Sequence, residues 1–300
     1  MKKIILSIIL TFAAISADAQ FLFRISGKGL KEPSYMLGTI HYLSGSLLDS
    51  IPEYQKAEAQ CRQMYVEHKP STILYEDTVN QLTVDYPDGK NIFDVIDKES
   101  AEILIEKYKE ATGISLSDPT MESLWKGTPA SFQDCLASGI MQQFKQAGNV
   151  MDIDLMDKAQ KRGWNVGQLD DERMKINDLI GYLETMPPSI EEQADSLMAF
   201  LKDYDGRKQR MVEWFEMTCN YWKTGDYKRF VSSQVQDVNQ HPKLLSDRNE
   251  KWLPRMQAAM REKPTMFVFG SGHLIGEHGI IAMLREAGYK VKQVKCKRKL

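Results

Sequence analysis

"FVFGSGHLIGEHG", residues 267–279, joins an apolar run with the look of a strand to a glycine-rich turn that carries His273. The run through Gly288 that follows reads as a helix. Strand, glycine turn and helix in that order commonly cradle a phosphate. Here Gly270, Gly272 and Gly276 space as G-x-G-x-x-x-G, one residue too long for the dinucleotide fingerprint. That fingerprint also wants an acidic residue about 20 positions on, where this chain has Lys295-Cys296-Lys297. No Gly-Lys-Ser/Thr follows, so a phosphate loop of the Walker kind fails as well. The turn is therefore read as a device that presents an imidazole.

The same design occurs near the other end of the chain. "SYMLGTIHYL", residues 34–43, is an apolar strand that reaches Gly38 and, three residues beyond it, His41. Ser50-Ile51-Pro52-Glu53 then reads as a capping box that starts a helix. "MYVEH", residues 64–68, is a second strand, and strand–helix–strand at this spacing is the unit of a parallel sheet. "WNVGQLD" (164–170), "TMFVFG" (265–270) and "YKVKQVK" (289–295) supply three more strands. The fold class that follows is α/β: a central, mostly parallel β-sheet built from both ends of the chain and flanked by helices. Two helical insertions, about 92–147 and 172–262, separate its parts, and residues 20–300 form a single domain.

The first residues carry an address. Lys2 and Lys3 precede an uncharged apolar run from Ile4 to Ala17, followed by Ala17-Asp18-Ala19. A basic start, a short apolar core and an A-x-A site make residues 1–19 a secretory signal peptide. The run is shorter than the roughly 20 residues a membrane span needs, so no stable membrane anchor is expected after cleavage. The expected compartment is the periplasm of a bacterium. A formal net charge of −2 over 300 residues excludes a general nucleic-acid binder. The basic tail, 290–300, reads as a solvated terminus. Cys61, Cys135, Cys219 and Cys296 are far apart with no C-x-x-C; they read as structural, and their connectivity is left open.

In a parallel sheet the carboxyl ends of the strands face the ligand crevice. Two G-x-x-H turns at such ends place His41 and His273 side by side, and glycine there permits positive φ and close backbone approach. Neutral imidazoles and carboxylates are the ligands of zinc-like divalent metals. The carboxylates available at strand ends are Glu67 and Asp170. Strand alternation sends Glu67 and His68 to opposite faces, so Glu67 is preferred to His68. Arg248, near a helix start with Ser246 or Asp247 as expected cap, either pairs with a surface acid or steadies a carboxylate or oxyanion in the crevice. His278 and His241 look incidental. No H-E-x-x-H and no G-x-S-x-G occurs.

Taken together, "FLFRISGKGLKEPSYMLGTIH" (21–41), "MDIDLMDKAQKRGWNVGQLDD" (151–171), "RNEKWLPRM" (248–256) and "FVFGSGHLIGEHGIIAMLREAGYKV" (267–291) resemble the TraB/GumN family. That family includes Tiki-type proteases and is akin to the erythromycin-esterase and ChaN-like fold. The resemblance implies a site of paired G-x-x-H motifs (Gly38–His41 and Gly270–His273), Glu67 and Arg248, with Asp152 at an acidic family position. Where the family usually reads Gly-Leu-Glu, this chain has Gln168-Leu169-Asp170. It further implies a metal-dependent hydrolase of peptide or protein substrates. His41 and His273 would hold a divalent metal (manganese, cobalt or zinc), with Glu67 as third ligand or general base and Asp170 completing the set. Arg248 would bind a substrate carboxylate or developing oxyanion. A relationship to haem-binding relatives leaves a rival expectation, a non-catalytic periplasmic binder of haem, metal or a cell-envelope ligand in the same crevice. The oligomeric state stays open.

Overall fold

The short apolar runs become strands of one sheet, buried along their whole length at Ser34–Thr39 and Thr265–Gly270. In the computed structural model, which describes residues 18–69, 86, 89–144, 151–171, 189–240 and 242–295, they are β2 (Ser34–Thr39), β3 (Gln63–Val66), β4 (Asn165–Gln168), β5 (Thr265–Gly270) and β6 (Lys290–Lys295). Residues 1–17 of the expected leader, Pro187-Pro188, His241 and Cys296 lie outside the described residues. The five strands join a sixth, β1 (Asp18–Ser26), in one sheet of order β4-β3-β5-β2-β1-β6. β4, β3, β5 and β2 are parallel, and β1 runs antiparallel between β2 and β6. The mostly parallel sheet drawn from both chain ends is thus as expected; β1 was not foreseen.

β5 lies in the middle of the parallel part, and Met266, Phe267, Val268 and Phe269 are fully buried. Such an unbroken apolar run is what a strand covered on both faces requires. β6, on one edge, instead carries Lys290, Lys292 and Lys295 among Val291, Gln293 and Val294, a composition that discourages further strand pairing.

The α-helices among the described residues are α1 (Pro52–Gln60), α2 (Lys98–Thr112), α3 (Pro129–Gln142), α4 (Met151–Lys161), α5 (Ile190–Lys202), α6 (Tyr204–Thr224), α7 (Tyr227–Gln240), α8 (Ser246–Glu262) and α9 (Ile280–Glu286). Pro52 opens α1 as expected, but the capping box does not form. Ser50 closes a 3-10 turn, Gly45–Ser50, and its hydroxyl donates to Leu47 O, so Ile51 takes the cap position without a side-chain bond.

Two apolar clusters result. One sandwiches the sheet; the other unites both helical insertions through Leu104 and Tyr108 of α2, Phe132 and Leu136 of α3, and Leu197 and Phe200 of α5. The long α6 joins them, with Tyr204 in the second cluster and Phe215, Cys219 and Trp222 in the first. Trp222 Nε1 donates to Gly38 O at 2.6 Å, which ties α6 to the end of β2. Cys61, Cys135 and Cys219 are free thiols. Among the described residues no helix is long and apolar enough to cross a membrane.

Candidate functional site

Parallel pairing gathers the carboxyl ends of four neighbouring strands on one edge of the sheet. Asp170, Glu67, His273 and His41 follow β4, β3, β5 and β2, the order in which those strands lie. The pairing extends past the strands, since Leu169 N donates to Val66 O and Asp170 N to Glu67 O, each at 2.9 Å. That holds the two carboxylates side by side. The two G-x-x-H turns are not in phase: Gly38 pairs with Phe269, and Gly270 with Thr39.

His41 is held from α4. Its Nδ1 lies 2.6 Å from Asp152 Oδ2, while Asp152 Oδ1 accepts from Thr39 Oγ1 at 2.8 Å. Asp154, half a turn further along α4, accepts from Ser44 Oγ and Gly45 N. The helix therefore grips both ends of the loop that carries His41. Burial pulls the His41 pKa down, but the Asp152 carboxylate outweighs it and raises the group to about 9.

His273 is held from α8. Its Nδ1 lies 2.7 Å from Asn249 Oδ1, and its ring stacks on Trp252 with centroids 4.2 Å apart. Its side chain is 3% exposed, against 55% for His41. Burial, with the nearby Arg248 cation acting in the same direction, lowers its pKa against the pull of Glu67.

Glu67 stands between them. Its Oε1 is 3.7 Å from His273 Nε2, and its Oε2 accepts from Gly270 N at 3.2 Å. A Cβ on Gly270 would lie 3.1 Å from His41 Nε2 and 3.7 Å from Glu67 Oε2, so these two atoms flank one point. Gly270 has φ −54°, hence the glycine provides room there and not a left-handed backbone. Burial would raise Glu67, but His273, Arg248 and His41 hold it well below the usual carboxylate range.

Arg248 lies under this row. Its Nη2 donates to Glu67 Oε1 at 2.6 Å and to Asp170 Oδ2 at 2.7 Å, its Nε to Asp170 Oδ1 at 3.3 Å, and its Nη1 to Leu244 O. It sits in the first turn of α8 as expected, although the cap is Leu245 and not Ser246 or Asp247. Arg248, Asn249 and Trp252 share one buried face of α8, and Trp252 Nε1 donates to Asp170 Oδ1 at 2.7 Å. One helix thus braces the ends of β3, β4 and β5.

The expectation for His68 is overturned. Its Nδ1 approaches Asp170 Oδ2 at 3.8 Å, and ligand atoms of Glu67, His68 and Asp170 lie within 4.8 Å of one another. β3 ends at Val66, so strand alternation no longer governs residues 67 and 68. His278 takes part through its carbonyl oxygen, which accepts from Asn249 Nδ2.

The sequence profile described as the TraB/PrgY/gumN family matches residues 21–293. The chain belongs to this family. Among curated proteins, this TraB/PrgY/gumN member is similar to Metalloprotease TIKI1 of Danio rerio, at 24% identity over 308 aligned positions that cover 87% of this chain and 60% of the relative. Metalloprotease TIKI2 of Danio rerio is 33% identical over 70 residues, 22% of this chain and 13% of the relative. The Xenopus tropicalis TIKI2 is 35% identical over 65 residues, 21% and 12% respectively. The chain therefore spans at most about three-fifths of the length of these relatives. No solved structure matches it.

Sequence reasoning about this family member did not assign Asn249 or Trp252. The available signal was Trp252 at i+4 from Arg248 and i+3 from Asn249, spacings that put it on one side of a helix with each of them.

Proposed function

We propose that this chain is an exported, metal-dependent hydrolase of peptide bonds, with His41, His273 and Glu67 holding one divalent cation. The observation that carries the reading is His273 Nε2 at 3.7 Å from Glu67 Oε1, with His41 Nε2 and Glu67 Oε2 on either side of the place a Cβ on Gly270 would take, and each ring fixed from behind through Nδ1. A histidine that gives its second nitrogen to a carboxylate or amide is the usual support of a metal-ligating imidazole. Charge fits as well. Glu67, Asp170 and Asp152 outnumber the Arg248 cation, and His41, whose pKa is raised to about 9 by Asp152, would give up its proton on taking a divalent ion. The mixed nitrogen–oxygen set suits manganese, cobalt or zinc.

Glu67, His68 and Asp170 form a second possible ligand set. It shares Glu67 with the first set, and both oxygens of its Asp170 carboxylate are already engaged, by Arg248 and by Trp252.

A divalent ion in the first set would supply Lewis acidity and lower the pKa of water toward neutrality. Arg248 and Gly270 N fix the Glu67 carboxylate, so its oxygens stay aimed between the two imidazoles. Glu67 is held ionised and can accept a proton from attacking water if it is not a ligand. His41, at the exposed end of the row, is placed to meet a substrate entering from solvent. Export follows from the expected leader, and a peptide substrate from the proteases to which the chain is similar.

The test measures metal content and cleavage of a broad peptide library for the wild type and His41→Ala. Loss of both in the variant is expected. Equal metal and equal cleavage would remove the reading, and metal uptake without any cleavage would leave a binding protein.

A further inference from the structure

His273 Nδ1 and Asn249 Oδ1 are 2.7 Å apart, and the far end of Asn249 decides which atom carries the hydrogen. Asn249 Nδ2 donates to two carbonyl oxygens, His273 O at 3.2 Å and His278 O at 2.9 Å. Carbonyl oxygens only accept, so the amide cannot be flipped, and the atom that faces the ring is an oxygen. An amide oxygen also only accepts. The hydrogen therefore sits on Nδ1, and the neutral ring keeps its lone pair on Nε2. The other side of the ring gives the same answer independently. Arg248 Nη1 lies 3.4 Å from Nε2, and a guanidinium has donors but no acceptor.

We infer that Asn249 is a positioning residue that locks His273 in the Nδ1–H tautomer and so keeps its Nε2 lone pair on the side where Arg248 and Glu67 lie. Asn249 is 2% exposed, and Trp252 fixes the plane of the ring it holds, the two rings being inclined by 30°. The two donations to residues 273 and 278 also pin the turn on which the ring is mounted. His41 is held differently, by the Asp152 carboxylate on an exposed side chain. The two imidazoles are thus not equivalent: an uncharged amide fixes the buried one without adding to the negative charge around it. The tautomer stands on the hydrogen bonds alone; its use as a metal ligand rests on the function proposed above.

The test is 15N NMR of histidine-labelled, metal-free protein at neutral pH, with Mn2+ titration calorimetry as a second readout. For the wild type, His273 is expected to show a protonated Nδ1 and an unprotonated Nε2. A wild type in which the Nε2–H form dominates overturns the inference without recourse to any variant. Asn249→Asp keeps an acceptor against Nδ1 but loses both donations to the carbonyls, whereas Asn249→Leu, of similar volume, loses everything. The Nδ1 hydrogen is expected to persist in Asn249→Asp and to be distributed over both nitrogens in Asn249→Leu. Mn2+ affinity should fall about 10–100-fold in Asn249→Leu, the usual effect of losing a support behind a ligand. A purely structural role predicts that both variants weaken alike with the tautomer unchanged, and that result would overturn the inference. If the wild type binds no Mn2+ yet Asn249→Leu scrambles the tautomer, the positioning role is upheld and only the metal reading falls.

Discussion

Replacing Arg248 with methionine withdraws the guanidinium lodged between two buried carboxylates. Glu67 Oε1 and Asp170 Oδ2 lie 2.6 and 2.7 Å from Nη2, on side chains that are 12% and 0% exposed. Deleting one partner of a buried ion pair costs about 3–5 kcal/mol, chiefly because the other charge is left uncompensated. Asp170 keeps the Trp252 Nε1 bond and Glu67 keeps Gly270 N, which holds the expected loss within that range. Methionine also retains part of the contact that Arg248 makes over the Trp252 ring, at 4.9 Å. The pH dependence has a definite sign. In the wild type Glu67 is held well below its ordinary value, so its contribution is present above the unfolded value and is lost only as pH falls through the depressed one. In the variant, burial without the guanidinium raises Glu67, and the folded chain gains a proton as pH falls. The stability gap should therefore be about 3–5 kcal/mol at pH 7 and narrower at pH 5. Urea unfolding of metal-free protein at the two pH values measures it. A gap below about 1 kcal/mol, the value of an exposed pair, or one that ignores pH, would refute the reasoning.

Two further outcomes follow from the same geometry. Gly270→Ala places a methyl 3.1 Å from His41 Nε2 at a backbone angle that alanine adopts freely. Mn2+ affinity should fall at least about tenfold while thermal stability moves by less than about 1 kcal/mol, because His41 can swing toward solvent; unaltered affinity by calorimetry would count against the shared point between His41 and Glu67. Asp152→Asn should bring the His41 pKa from about 9 down toward its ordinary value, as read by NMR titration. Since the wild-type group is raised, its stabilisation is complete below the unfolded value near 6.5 and disappears as pH rises through about 9. The two proteins should differ most in mildly acidic buffer and converge in alkaline buffer. An unchanged His41 titration would show that Asp152 is not its partner.

Much of the sheet was legible because parallel strands leave a plain record: apolar runs between helices, each ending in a glycine or a carboxylate. β1 was not, since Phe21 to Phe23 continue the hydrophobic character of the expected leader and show no alternation that would set a strand apart. The candidate site was legible as residue types at strand ends, and the structure brings Asp170, Glu67, His273 and His41 into one row in the order of their strands. Its supports were less so. Asp152 came only from the resemblance, and Asn249 and Trp252 act through the face of a helix whose partner strand was unknown from the sequence. The His68 misreading has a different root: β3 stops at Val66, so Glu67 and His68, read from the sequence as part of the strand, lie beyond it. Glycine at Gly270 was rightly singled out, and space explains it where backbone freedom does not.

Calorimetric titration of Mn2+ into metal-free wild type, His41→Ala, His273→Ala and His68→Ala tests the central claim most directly. The account predicts one ion per wild-type chain, binding abolished or greatly weakened by His41→Ala and His273→Ala, and binding preserved in His68→Ala. Binding that survives His41→Ala and His273→Ala but is lost in His68→Ala would contradict it and move the cation to Glu67, His68 and Asp170.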